Sequence, residues 1–168
     1  MRPDEFDRFF SIIEASFPAD EYRTYAEQKT LTADPQYCIY VLPDEQSGEI
    51  KAVITLWQFD DFAFIEHFAV HPIYRNHGLG AQILHEIKET AACPLCLEAE
   101  LPETDFAKRR IAFYERNGFF ANDYPYIQPP YSEGKNPVPL IVMTTGGTVT
   151  KERFEKIKET IYKEVYKV

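Results

Sequence analysis

Apolar residues recur at three- and four-residue steps through Phe6, Phe9, Phe10, Ile13 and Phe17, and Pro18 follows. The spacing predicts a helix over residues 3 to 17 that stops at the proline. Asp20 can cap a second helix running to Thr30. The pattern then turns extended. Tyr37 to Leu42 and Ile50 to Phe59 are apolar, β-branched and aromatic, and the polar stretch 43–48 between them marks the turn of a hairpin. Asp60-Asp61 turns the chain into a third such run, Phe62 to Val70. Helical spacing returns from Leu79 through Ile83, Leu84 and Ile87 to Ala91, before another extended run from Leu95 to Leu101. Strand, helix and strand in that order imply that the two strands are parallel.

Thr104 or Asp105 can cap a helix to Asn117, with Gly118 as its stop. Phe119 to Tyr124 and Val138 to Thr144 supply two further strands. Residues 126–137 between them are too proline-rich for regular structure and predict a long ordered loop, a feature more often functional than decorative. From Thr150 to about residue 166, Phe154, Ile157, Ile161 and Val165 form one stripe of a last helix. That stripe packs on the domain or on a second subunit, so monomer and homodimer are both open.

At 168 residues, 45% hydrophobic and 15% aromatic, the chain predicts a single domain over 1–168 with one packed core. The 18 Lys and Arg against 27 Asp and Glu leave a net charge of −9. Such a field repels nucleic acid and anionic lipid and attracts cations, although it also serves solubility alone. The N-terminus lacks the apolar core of a signal peptide and no segment approaches a membrane span, which predicts a cytoplasmic protein. Cys93 and Cys96 have no second pair to complete a zinc site, and His67, His71, His77 and His85 have no ligand spacing. No metal is expected, and most of the histidines read as surface residues.

The junction between the 62–70 run and the helix at Leu79 carries Arg75-Asn76-His77-Gly78-Leu79-Gly80-Ala81. A helix start has unpaired N–H groups and a partial positive charge, so phosphate oxygens bind there when no side chain blocks them. Ala81-Gln82 replace the Lys and Ser or Thr of a P-loop, and Ile83 replaces the third small residue of a dinucleotide fingerprint. Arg-x-x-Gly-x-Gly remains, followed by Ile111-Ala112-Phe113-Tyr114-Glu115-Arg116-Asn117-Gly118-Phe119. Together they resemble the GNAT superfamily of acyl-CoA-dependent N-acetyltransferases over about residues 36 to 145.

The resemblance implies an α+β fold: a mixed, mostly antiparallel sheet with helices on both faces, whose two parallel central strands splay apart. It implies acetyl-CoA as co-substrate, with its pyrophosphate on residues 75–81 and its pantetheine arm on the backbone of Phe68, Ala69 and Val70. An N–H near Val70 would serve the oxyanion, and Tyr114 would protonate or hydrogen-bond the leaving thiolate; as ordinary core, Tyr114 would have neither role. Where many members place an Asn and a small residue before Phe-Tyr, this chain has Ala107 and Arg110. Arg109 or Arg110 would then reach a cofactor phosphate or form a surface ion pair.

Acetyl transfer needs a neutral amine, which at pH 7 costs a lysine-like group about 4.6 kcal/mol. Simple strand alternation puts Glu66 on one face with Phe64, Phe68 and Val70, where apolar neighbours would raise its carboxyl towards neutrality, as a general base requires. A carboxylate paired with an arginine is the other reading. Glu98 and Glu100 share a face of the second parallel strand and either hold a cationic acceptor or are solvated. Tyr126 and Tyr131 lie in the proline-rich loop that would close over the acceptor. The acceptor is then a small-molecule or peptide amine of cationic character. A non-catalytic acyl-CoA sensor and a transferase of longer acyl groups are the rival readings.

Overall fold

The computed structural model describes residues 3–168; Met1 and Arg2, the start of the polar N-terminus, lie outside them. Helix α1 (Pro3–Ser16) is followed by a 3-10 turn at Ala19–Glu21 and by α2 (Tyr25–Thr30). The cap of α2 is Thr24, not Asp20: Thr24 and Glu27 form a reciprocal capping box, while the Asp20 carboxylate takes the amide and side-chain N–H groups of Asn136.

Seven strands form one sheet in the order β1 (Tyr37–Pro43), β2 (Ile50–Gln58), β3 (Ala63–Val70), β4 (Leu95–Glu100), β7 (Val138–Thr145) and β5 (Phe119–Ala121), with β6 (Tyr126–Gln128) also on β7. The pairs are antiparallel except β3 with β4. Helix α3 (Leu79–Thr90) crosses between those parallel strands, and α4 (Asp105–Arg116) follows β4 with Thr104 as its cap. The strand expected at 119–124 ends at Ala121, where the Asn122 side chain substitutes for the ladder by bonding the Val142 carbonyl and Thr144 Oγ1. The proline-rich loop contains a strand after all: Tyr126–Gln128 pairs with Val138–Leu140 before Pro129 and Pro130 end it.

Apolar residues on the two faces of the sheet build separate halves of the core. Ile54, Ile65, Leu97 and Met143 meet Leu84 of α3 and Tyr114 of α4. On the other face, α1 packs Phe6, Phe9, Phe10 and Ile13 on Val53 and Ala69. Helix α5 (Lys151–Ile161) and the π-turn Tyr162–Tyr166 after it pack Phe154, Ile157, Ile161, Val165 and Tyr166 on Trp57, Phe64 and Val142. The last helix thus seats its apolar stripe on its own sheet. Helices on both faces of a mixed, mostly antiparallel sheet make the fold α+β.

Two irregularities shape the centre of the sheet. Strands β3 and β4 pair only at Ala63–Leu95, Phe64–Cys96 and Ile65–Leu97, and both then continue without a shared ladder, to Val70 and Glu100. The register of β3 on β2 also shifts: Thr55 faces His67 and Leu56 faces Ile65, leaving Glu66 as the extra residue of a β-bulge. The bulge resets the alternation. Phe64 and Ala69 face the α1 and α5 side, whereas Ile65 and Phe68 face α3 and α4.

Candidate active site

The splay between β3 and β4 opens a cleft lined by Ile65, Glu66 and Phe68 on one side and by Leu97, Glu98 and Ala99 on the other. Glu66 has a side chain with 0% exposure although the residue as a whole is half-buried, so its accessible surface is main chain. An unpaired strand edge of this kind can hydrogen-bond an extended amide-bearing arm. Ala69 is buried under α1, while Phe68 and Val70 are half-buried.

At the end of β3 the chain turns through the glycine-bearing loop. Asn76 has φ +65° and Gly78 φ +80°, both left-handed. Gly78 is the N-cap of α3 and no side chain caps the helix, so the first amides, from Leu79 through Gly80 and Ala81, keep their donors for an anion. Arg75, Asn76 and His77 are exposed around it. Arg75 Nε donates to the Val70 carbonyl at 2.7 Å, which ties the loop back to β3. The two glycines act differently. A Cβ on Gly78 would meet nothing within 4 Å, so the left-handed backbone alone selects glycine there. At Gly80 it would lie 3.2 Å from Phe113 Cζ and 3.6 Å from Val70 Cγ2, so glycine there serves the seat of α3 on α4 and β3.

Tyr114 lies on α4 beneath the same cleft, between the rings of Phe113 and Phe119. Burial pushes its phenol up to about 12, with Arg110 opposing. Arg110 pairs with Glu100 at 3.2 Å and is thereby held on the protein, whereas Arg109 is exposed.

The acidic residues divide sharply. Glu66 does not have the raised carboxyl that straight alternation implied. Burial alone would raise it, but Arg23 Nη1 at 2.6 Å from Oε1 and His67 Nδ1 at 3.5 Å from Oε2 outweigh burial and hold it at about 2. The bulge turns Glu66 towards these partners. Glu98 behaves in the opposite way: burial pushes its carboxyl up to about 7, against hydrogen bonds from Tyr126 and Tyr166, with Glu66 and Glu21 adding repulsion. Glu21 lines the cleft too, and burial raises it, as does Glu100.

His67 is buried, not a surface residue: its Nε2 donates to the Glu21 carbonyl at 3.0 Å and Nδ1 lies 3.2 Å from Thr55 Oγ1. The 126–137 segment is not a free lid. Gln128, Lys135 and Asn136 bond the 19–22 turn, and Ser132 bonds Glu27. Tyr126 is buried with its hydroxyl on Glu98, and Tyr131 is stacked under Arg23 with Cζ 4.5 Å from the ring centroid. Arg23, Glu21 and Tyr166 lack any sequence signal; each reaches the site from a distant segment. The three cysteines are free thiols, and among the described residues no group of His, Cys, Asp and Glu could hold a metal ion.

Splayed strands, an uncapped helix start and a buried tyrosine below them form one arrangement, and the sequence itself matches accordingly. Residues 4–119 fit the family model for the acetyltransferase (GNAT) family. The chain belongs to the GNAT acetyltransferase family. This GNAT chain is similar in structure, at TM-score 0.88 and 32% identity, to a GNAT-family protein from Bacteroides thetaiotaomicron, covering 100% of this chain and 97% of the other. It shares its fold with the ribosomal-protein-S18-alanine N-acetyltransferase of Escherichia coli (TM-score 0.60, 20% identity, 90% and 94% covered). An aminoglycoside 6'-N-acetyltransferase in complex with coenzyme A is a further structural relative (TM-score 0.58, 15% identity, 86% and 91% covered). A search of curated proteins finds no match. Among the described residues of this GNAT chain, no helix is long and apolar enough to cross a membrane.

Proposed function

We propose that this GNAT chain transfers the acetyl group of acetyl-CoA to a cationic primary amine, with Glu98 as general base and Tyr114 as hydrogen-bond donor to the leaving sulfur. The observation that carries this reading is the Glu98 carboxyl, held at about 7 on the wall of the splay that Tyr114 underlies. A base with that affinity is half ionised at neutral pH and can take a proton from an amine. Glu66, ionised but held at about 2 beside Arg23, is a much weaker proton acceptor than Glu98.

In the reaction the amine nitrogen attacks the thioester carbon, the N–C bond forms and the C–S bond breaks. The cationic amine first yields one proton to solvent to become nucleophilic, and Glu98 takes the second N–H proton, which the nitrogen sheds as the N–C bond forms. The departing thiolate, with an ordinary pKa of about 8.5, is far less basic than the Tyr114 phenolate, so Tyr114 keeps its proton and stabilises the sulfur by donation. Coenzyme A is protonated from solvent as it leaves, which balances the proton held by Glu98. The amides of residues 79–81 suit the pyrophosphate, and the backbone around Glu66 to Val70 suits the pantetheine amides.

The acceptor reading rests on charge. Glu21, Glu66, Glu98 and Glu100 surround the cleft, and Arg23 and Arg110 neutralise only Glu66 and Glu100. The structural relatives named above act on amines by their names, a ribosomal-protein alanine and an aminoglycoside. The test is a coenzyme A release assay over cationic, neutral and anionic amines. Cationic amines should be the best acceptors, and Glu98→Gln should lower kcat by a hundredfold or more, on the order expected for loss of a general base. Preference for anionic amines would refute the acceptor class, and coenzyme A binding without turnover on any amine would favour a sensor.

A further inference from the structure

Glu98 carries one phenol on each oxygen. Tyr126 donates to Oε1, and Tyr166 donates to Oε2 at 2.7 Å. Tyr126 sits on β6, close in the sheet to β4. Tyr166 has no such reason to be there: it lies 68 positions from Glu98, in the π-turn after α5 and off the sheet. A π-turn widens the helix by one residue and is common at functional sites. Here it lets both Val165 and Tyr166 face the sheet, at 2% and 6% exposure.

The turn is clamped from the opposite side of the cleft. Arg23 spends one nitrogen on Glu66 and the other on the Val165 carbonyl, at 2.7 Å. The same guanidinium stacks on Tyr131, whose ring packs on Tyr166 with centroids 4.8 Å apart. The backbone of Tyr166 is therefore fixed to β3 through Arg23, while its hydroxyl is fixed to β4.

We propose that Tyr166 is a positioning residue for Glu98, and that the π-turn holding it is a working part of the active site. This rests on the reading of Glu98 as the base. Each carboxylate oxygen retains a second lone pair, so a proton can arrive without breaking either phenol contact. Two fixed donors orient the carboxylate and favour its ionised form, opposing burial and the repulsion of Glu66 on β3 and Glu21 on the 19–21 turn. Arg23 faces the same network from the segment before α2. Tyr131, and farther along the cleft Glu100, Arg110 and Tyr114, complete the titratable surroundings, with Cys96 below on β4.

The experiment is a carboxyl carbon NMR titration of glutamate-labelled protein without acceptor, with Glu98 assigned by Glu98→Gln. Tyr166→Phe keeps the ring and removes the donor, so the Glu98 midpoint should rise by about one pH unit. The acidic limb of kcat/KM should move with it, lowering the value at pH 7 about fivefold and restoring it in alkali. Tyr124→Phe, which loses a hydroxyl that donates to the Val149 carbonyl, away from Glu98, should leave both unchanged. Incorporation of 3-fluorotyrosine at position 166, a stronger donor of the same shape, should lower the midpoint and covers the case in which Tyr166→Phe fails to fold. An unmoved Glu98 titration in either variant overturns the proposal. A shifted titration with full activity in Glu98→Gln would instead retain the positioning contact and refute Glu98 as the base.

Discussion

Arg23 Nη1 donates to Glu66 Oε1 at 2.6 Å, and the two side chains retain only 6% and 0% of their exposure. A buried pair of this kind is costly to break, because the survivor is left charged without a partner. Glu66→Gln should therefore lower unfolding free energy by about 3 kcal/mol or more, and Arg23→Met with Glu66→Met should lose less than either single change. Urea denaturation reads both. The Glu66 carboxyl is depressed, so its stabilisation is present above the ordinary glutamate value of 4.5 and is lost as pH falls towards about 2. A Glu66→Gln protein as stable as the parent at pH 7 would contradict this.

Glu98 has the opposite sign. Its carboxyl is raised, so its contribution is complete below the ordinary 4.5 and is lost as pH climbs through about 7. The gap corresponds to at most about 3 kcal/mol. Glu98→Gln should be more stable than the parent at pH 8, and that advantage should shrink as pH falls to 4. Parallel stability curves for the two proteins would show that Glu98 titrates normally.

The two glycines of the cradle should fail in different ways. Gly78→Ala meets no neighbour but must hold a left-handed φ of +80°, at a cost of about 1 kcal/mol, and should weaken coenzyme A less than tenfold. Gly80→Val drives a branched side chain at Phe113 and Val70, displaces the first turn of α3, and should weaken coenzyme A by tenfold or more together with a lower Tm. Calorimetric titration with coenzyme A decides, and unchanged affinity in Gly80→Val would rule out α3 as the anion site.

Tyr114→Phe keeps the packing against Phe113 and Phe119 and removes only the donor. On the reading of Tyr114 as donor to the sulfur, kcat should fall by about ten- to a hundredfold with acetyl-CoA affinity nearly unchanged. A wild-type kcat would make Tyr114 ordinary core.

An acidic cleft attracts a cation through a field that salt screens over about 8 Å at physiological ionic strength. Apparent kcat/KM for the best acceptor should fall with added salt, while KM for the anionic acetyl-CoA should change less or improve. Equal salt dependence of the two substrates would leave the acidity as surface solubility.

Local pattern alone determined much of this protein. The 79–90 helix after a short apolar strand, the glycine at its start and the Phe-Tyr pair on α4 were legible because strand and helix periods, caps and left-handed turns depend on near neighbours in sequence. Family resemblance followed from the order of those elements. The short strand Tyr126–Gln128 was hidden because its pairing with β7 outweighed the local bias of Pro125, Pro129 and Pro130.

What tertiary structure alone decided is which carboxyl is held charged and which is pushed towards neutrality. One extra residue in β3 breaks the two-residue alternation at Glu66 and sends its side chain to Arg23, forty-three positions away, and to His67. Glu98 owes its affinity to burial, to Tyr126 and Tyr166, and to the neighbouring charges of Glu66 and Glu21. Proton affinity is set by desolvation and by charges within a few ångströms, and those neighbours come from segments that meet only when the sheet, the 19–23 turn and the last helix close on one another.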